Sequence, residues 1–226
     1  LLEEVEELSE YTEKMRDYWN ERFEKESLIW GTNPSVSARQ ALDIFKRHEA
    51  SRLLVPGSGY GRNTRYFSAA GMRVVGVEIS DAALKQAKDF DPHTTFYHMS
   101  VLDIHTLKER FTAVYCFNVL HLFRRAERQA LVQKCARVVE PGGVLYFVVF
   151  SEKEEKFGKG KMVEENTFES KPGRPVHYFT EHDLKDHFKE FDLLEVGILE
   201  DRENHGEEGE HTHVLRYLAC LQPKSE

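Results

Sequence analysis

Three glycines on alternate positions, Gly57, Gly59 and Gly61, follow the apolar run Leu53-Leu54-Val55-Pro56 and lead into Arg62. Glycine reaches backbone angles closed to other residues, and it leaves no Cβ to bar a ligand from the chain. A second apolar run ends in Val77-Glu78-Ile79. A carboxylate at that offset from a glycine loop accepts from both hydroxyls of a ribose and repels a 2′-phosphate. A further acid closes the segment Val101-Leu102-Asp103. Two readings of Asp103 stand: an acceptor for an exocyclic amine such as that of adenine, or a cap on a short helix near His105. The spacing is G-x-G-x-G. Arg62 occupies the place where a dinucleotide fold carries the glycine that lets a pyrophosphate meet the helix. The ligand so described carries a ribose and an adenine and needs no paired phosphate.

Other side chains with chemical potential lie downstream. His121 ends Phe117-Asn118-Val119-Leu120-His121 after a strand, where it either meets a substrate or simply starts a helix. His177 and His213 are further candidates for a base, since an unperturbed histidine titrates near pH ~6.5. Lys159, Lys161, Arg174 and His177 form a basic group suited either to an anionic substrate or to solvent. His205, His211 and His213 invite a zinc reading, because His-x-His on a strand turns both rings one way. The glutamates among them suit a solvated hairpin equally, and no metal is expected. Tyr18, Trp19 and Trp30 offer an aromatic wall for a cation. Trp30, in a loop, is the strongest of the three, whereas Tyr18 and Trp19 also suit the buried face of a helix.

The elements that must position these groups follow from periodicity. Residues 1–25 have apolar groups at helical spacing. Asn33-Pro34 reads as a cap and first turn, opening a helix to about His48. Short strands are expected at 53–55, 72–78, 94–99, 113–118 and 144–150, with helices at 63–70, 80–89 and 126–139 between them. That alternation predicts an α/β fold with a doubly wound parallel sheet. Residues 151–179 break the rhythm and read as a long loop or flap over the site. A helix capped by Thr180 runs to about Lys189. Strands at 192–199 and 214–221, joined by a loop over 200–210, predict an antiparallel hairpin at the sheet edge. The expected division is a helical extension, 1–48, packing over the site, and a main domain, 49–226.

With 226 residues and 31% charged side chains, one well-filled core is within reach. A net charge of -8 argues against a nucleic-acid partner. No run approaches the ~20 apolar residues of a membrane span, and the acidic start lacks the form of a signal peptide. Cys116, Cys135 and Cys220 are scattered, which predicts reduced core thiols in a cytoplasmic protein.

Together, the glycine loop, Glu78, the Val101-Leu102-Asp103 segment and Pro141-Gly142-Gly143-Val144-Leu145 resemble the class I S-adenosylmethionine-dependent methyltransferases. Tyr18-Trp19-Asn20, Trp30-Gly31-Thr32-Asn33-Pro34 and Tyr178-Phe179-Thr180 are similar to the TehB-like and thiopurine-type small-molecule branch. The resemblance implies a seven-stranded, Rossmann-like sheet of order 3-2-1-4-5-7-6 with the last strand antiparallel. It implies S-adenosyl-L-methionine as cofactor, contacted by Trp30, Gly57, Ser58, Gly59, Gly61, Arg62, Glu78, Ile79, Val101, Leu102, Asp103, Phe117 and Asn118. The acid that usually precedes the first glycine is replaced by Pro56. The expected activity is in-line methyl transfer to a small molecule, at a soft sulfur, selenium or tellurium atom or at oxygen or nitrogen, by a monomer or homodimer. The rivals are a cofactor-binding regulator without activity and a nicotinamide-dependent oxidoreductase.

Overall fold

The computed structural model describes residues 2–204 and 209–224. It opens with helices α1 (Leu2–Lys25) and α2 (Val36–Arg47), followed by β1 (Arg52–Pro56), α3 (Arg62–Ala69), β2 (Arg73–Glu78), α4 (Asp81–Phe90) and β3 (Thr95–His98). A 3-10 turn, Val101–Thr106, leads to β4 (Phe111–Phe117), a second such turn, Leu120–Leu122, α5 (Arg125–Val138) and β5 (Val139–Phe150). Next come β6 (Lys161–Glu164), β7 (Thr167–Lys171), β8 (Arg174–His177), α6 (Glu181–His187), β9 (Asp192–Asn204) and β10 (Glu210–Leu221).

Among the described residues the main sheet runs β3-β2-β1-β4-β5-β10-β9. The pairs from β3 to β5 are parallel, and β10 is antiparallel to both β5 and β9. Counting β9 as sixth and β10 as seventh gives the expected order 3-2-1-4-5-7-6. Alternate residues of each strand supply opposite faces, and both faces are apolar, as in a sheet covered by helices on both sides. Leu54, Val114, Leu145 and Phe147 pack with Leu131 and Cys135 of α5 on one side. Leu53, Val55, Tyr115 and Tyr146 pack with Ala41, Leu42 and Phe45 of α2 on the other. Cys116, Cys135 and Cys220 are free and buried.

Three expectations are corrected. The cap of α2 is Ser35, two residues beyond Asn33, and Pro34 lies outside the helix. The side chain of Ser35 makes no cap bond. Its N–H donates to Asn63 Oδ1 at 2.9 Å, and its Oγ lies 2.7 Å from the Tyr115 hydroxyl. Tertiary partners, therefore, set the start of this helix. Second, residues 161–177 are a small antiparallel sheet, β6-β7-β8, rather than a structureless flap. Arg128 ties it down, donating to Phe123 O at 2.7 Å and reaching Glu164 at 3.4 Å. Third, the loop expected over 200–210 is strand at both ends: β9 continues to Asn204 and β10 begins at Glu210. The hairpin therefore overhangs the carboxyl edge of the sheet.

Among the described residues no helix is long and apolar enough to cross a membrane.

Candidate functional site

The carboxyl ends of β1, β2, β4 and β5 open onto one cavity of about 390 Å³, where ligands bind in folds of this topology. Its floor is the glycine loop. Gly57, Gly59 and Gly61 have φ of 66°, 55° and 91°, all in the left-handed region. At Gly57 the space is also taken, because an added Cβ would lie 2.3 Å from Val119 Cγ2. The protein's own neighbour, as well as any ligand, thus dictates glycine there.

Glu78 is the hub of the loop. Its Oε2 accepts from Gly59 N at 2.9 Å, and its Oε1 accepts from the N–H groups of Ile79 and Ser80, each at 2.9 Å. Burial raises the pKa of this carboxyl, against the pull of the three backbone donors. The same side chain that faces the cavity therefore also fixes the glycine loop to the end of β2.

Tyr60 stacks on Trp30 with ring centres 6.1 Å apart, and its hydroxyl donates to Gly31 O at 2.6 Å. This pins the Trp30 loop over the glycines. Helix α1 forms a wall with Tyr11, Met15, Tyr18, Trp19, Arg22 and Phe23. It is anchored by Asn20 Oδ1, which accepts from Ser80 Oγ at 2.7 Å. Arg62 donates to Trp30 O at 3.3 Å and pairs with Glu203. Its guanidinium lies 5.7 Å from the Trp30 ring centre and 5.5 Å from that of Phe117.

At the far side Asn118 holds φ at 54°, outside the usual range for a side-chain-bearing residue. Its Oδ1 is buried without a hydrogen-bond partner among the described residues, as is Ser58 Oγ. Both residues line the cavity. Backbone strain and unpaired polar atoms cost free energy and gather where a ligand completes the site.

His121, Phe150 and His213 form a stack, with ring centres 4.0 Å and 5.1 Å apart. Phe150 N donates to His121 Nδ1 at 3.3 Å, which places the proton of the neutral ring on Nε2. Burial lowers the pKa of His121 to about 3. His213 behaves oppositely: burial works against its charge, yet Glu154, 3.1 Å from Nδ1, together with the nearby Glu203 carboxylate raises the pKa.

The depressed His121 has a stability consequence. The unfolded chain takes a proton near pH ~6.5 that the folded ring refuses until about pH 3. Its contribution therefore erodes folding as pH falls through that window. His121→Gln keeps an acceptor for Phe150 N and removes the titration. Its urea-unfolding free energy is expected to fall less steeply between pH 6.5 and 4 than that of the wild type; parallel curves would contradict this.

Several sequence expectations meet in this cavity: Trp30, Gly57, Ser58, Gly59, Arg62, Glu78, Ile79, Val101, Phe117, Asn118, His121 and His213 all line it. Gly61 caps α3 directly behind them. Asp103 does not line it: the residue sits on an exposed position of the 3-10 turn Val101–Thr106, and Leu102 is buried in the core. The polar residue of that strand end that reaches the wall is Ser100.

His177 does not line the cavity either. Neighbouring Val176 and Tyr178 face the cavity, so strand alternation turns His177 the other way. There its ring meets Thr167 Oγ1 at 2.8 Å and Asp183 Oδ2 at 2.5 Å. Of the expected basic group only Arg174 lines the cavity; Lys159 pairs with Glu155 and Lys161 faces solvent. The other lysines on the wall are Lys156 and Lys171. His205 lies outside the described residues, and among these no group of three or more His, Cys, Asp or Glu is arranged for a metal ion.

Glu203, Arg22 and Glu154 escaped the sequence reading. The first had a signal, because Asp201 and Glu203 alternate in step with the strand before them.

Residues 54–147 match the family model of a methyltransferase domain. The match runs from β1 into β5 and includes the glycine loop, Glu78 and His121. The dTDP-3-amino-3,6-dideoxy-alpha-D-glucopyranose N,N-dimethyltransferase of Streptomyces fradiae is 30% identical over 57% of this chain and 53% of its own length. The chain spans about half the length of the curated relatives it matches. Among solved methyltransferase-like folds, TehB of Haemophilus influenzae superposes with a TM-score of 0.62 at 16% identity, over 83% of this chain and 62% of its own. A structure from work on conversion of a disulfide bond into a thioacetal group during echinomycin biosynthesis gives a TM-score of 0.73 at 14% identity, over 93% and 94% of the two chains. At such identities the superpositions speak for a shared fold.

Proposed function

We propose that this protein is an S-adenosylmethionine-dependent methyltransferase whose acceptor is a small molecule carrying negative charge. The observation that carries the reading is the joining of a glycine loop, the buried Glu78 carboxylate and the strained Asn118 around one cavity. The residues fit the cofactor. Glu78 would hold the ribose, Ser100 and Val101 would lie at the base, and Ser58 and Asn118 offer unused polar atoms. When bound, the cofactor supplies a methyl group already activated on a sulfonium.

The chain's own work is alignment and exclusion of water. Orientation in a closed site is worth about 7–11 kcal/mol. Helix α1 and the β6-β7-β8 sheet meet above the cavity, where the Arg174 guanidinium lies 3.6 Å from the Tyr18 ring centre. Arg174, Lys171 and Lys156 give this acceptor end positive charge, and Tyr11, Met15, Leu122, Phe123 and Tyr178 give it apolar surface. A soft chalcogen nucleophile requires no base there. For an oxygen or nitrogen nucleophile, His213 is the base: Glu154 accepts from Nδ1–H, which leaves Nε2 as the basic nitrogen of the neutral ring. His121, held neutral, contributes a donor from Nε2. The TehB-like branch is supported by Tyr18, Trp19 and Trp30, on which that resemblance rests and which line the cavity together.

Titration calorimetry is expected to show binding of S-adenosylmethionine and S-adenosylhomocysteine and none of NAD. Turnover is then read as S-adenosylhomocysteine release with thiols, selenite, tellurite, phenols and amines. Binding of NAD alone would refute the cofactor, and adenosyl binding with no turnover on any class would favour a regulator.

A further inference from the structure

Arg174 stands apart from the other arginines that line the cavity. Arg62 pairs with Glu203, and Arg22 donates to the Tyr18 hydroxyl at 3.0 Å. The Arg174 side chain has no hydrogen bond and no ion pair among the described residues; its contact is with a ring, the guanidinium carbon lying over Tyr18 at 3.6 Å from the ring centre. A guanidinium on a ring face keeps its edge N–H donors for other partners. Arg174 is half-buried, and charge drawn out of water without a partner is costly. The acid best placed to quench it is taken. Glu169 of β7 lies opposite Pro175, next to Arg174, yet its carboxylate meets Arg124 at 3.2 Å and accepts from Gly173 N at 3.2 Å. The acids that line the cavity, Glu78 and Glu203, bond to the glycine loop and to Arg62.

Between α1, the second 3-10 turn and β8 lies a recess of about 30 Å³, and Arg174, Tyr11, Met15, Tyr18 and Leu122 line both it and the cavity. A recess of that size takes about two water-sized groups, comparable to the two oxygens of a carboxylate. The Tyr11 hydroxyl donates to Leu122 O at 2.6 Å and so holds α1 against the turn. Met15, Leu122, Phe123, Val176 and Tyr178 supply apolar cavity wall from the same elements and the residues that follow them. Lys156 and Lys171 also line the cavity, but both are exposed, and an ammonium offers a point charge where a guanidinium offers a planar fork. A small inorganic oxyanion would use the charge and leave the apolar wall idle, whereas an aromatic body bearing a carboxylate would use both.

We propose that Arg174 determines the acceptor's class: the methyl acceptor is an aromatic carboxylate, whose carboxylate the Arg174 guanidinium receives while its ring lies on the apolar wall. The inference rests on the methyltransferase reading above and deepens it. Tyr18, held from the other side by Arg22, fixes the guanidinium in advance, so little side-chain freedom is lost when the anion arrives.

Calorimetry on protein saturated with S-adenosylhomocysteine compares 2-naphthoate with its neutral counterpart 2-naphthamide. The wild type is expected to bind the naphthoate at least tenfold more tightly. Arg174→Leu is expected to weaken the naphthoate at least tenfold and to leave the amide within twofold, which also shows that the apolar wall is intact. Equal affinity of the two probes for the wild type, binding of neither, or an undiminished preference in Arg174→Leu would overturn the assignment. The wild-type comparison stands even if the variant does not fold. Failure of S-adenosylhomocysteine itself to bind would instead bring down the cofactor reading, so the two failures are distinguishable.

Discussion

Glu78→Ala is expected to weaken S-adenosylhomocysteine binding at least a hundredfold and to destabilise the fold by about 2–4 kcal/mol. The carboxylate has two duties, and alanine ends both. Toward the ligand it would remove the charge-assisted hydrogen bonds proposed to the ribose, worth on the order of 1–3 kcal/mol. Toward the protein it strips the N–H groups of Gly59, Ile79 and Ser80 of their acceptor. Each buried donor left unsatisfied costs about 1–3 kcal/mol, less where water enters from the cavity. The glycine loop then loses its tie to β2, so the affinity loss exceeds the direct contacts. Glu78→Gln separates the duties, because the amide retains one accepting oxygen without the charge. It is expected to fall between alanine and wild type in both urea unfolding and calorimetry. A folded Glu78→Ala protein with undiminished affinity would remove Glu78 from the site.

The second large effect concerns Gly57→Ala, expected to cost about 2–4 kcal/mol in stability without removing a single hydrogen bond. Two independent penalties add. A φ of 66° strains any residue with a Cβ, and the new methyl would stand 2.3 Å from Val119 Cγ2. Overpacking of that kind costs roughly 1–3 kcal/mol. The second penalty is removable. In Gly57→Ala with Val119→Ala, the clash is gone and the strain remains, so the double variant is expected to be more stable than the sum of the single losses by at least about 1 kcal/mol. Strict additivity in urea melts would show that backbone strain alone accounts for the glycine.

Most of the fold was legible because its signals are local. Apolar runs of strand length, capped helices such as that beginning after Ser80, and the Gly57–Gly61 loop each announce themselves within a few residues. The parallel order follows once those units alternate. Glu78 was legible for the same reason: it sits at a fixed offset on the next strand. The misplacements arose where position depends on distant chain. Asp103 and Ser100 lie three residues apart on a tight turn, and the side that faces the cavity is chosen by how that turn packs on α5. His177 and its neighbours alternate on a strand whose orientation is set by Arg128 and Asp183. Glu203 comes to the start of α3 only because the hairpin runs past the sheet edge, and acidic residues around it disguised a strand as a solvated loop.

The three cysteines described within the core bear on the proposed chemistry. Burial raises the pKa of each thiol well above its ordinary value. A protein that handles an alkylating sulfonium beside soft nucleophiles runs the hazard of methylating itself, and thiolate is the side chain most exposed to that hazard. Among the described residues the three thiols stay protonated and do not line the cavity, so under the proposed activity no cysteine of the core competes with the acceptor for the methyl group.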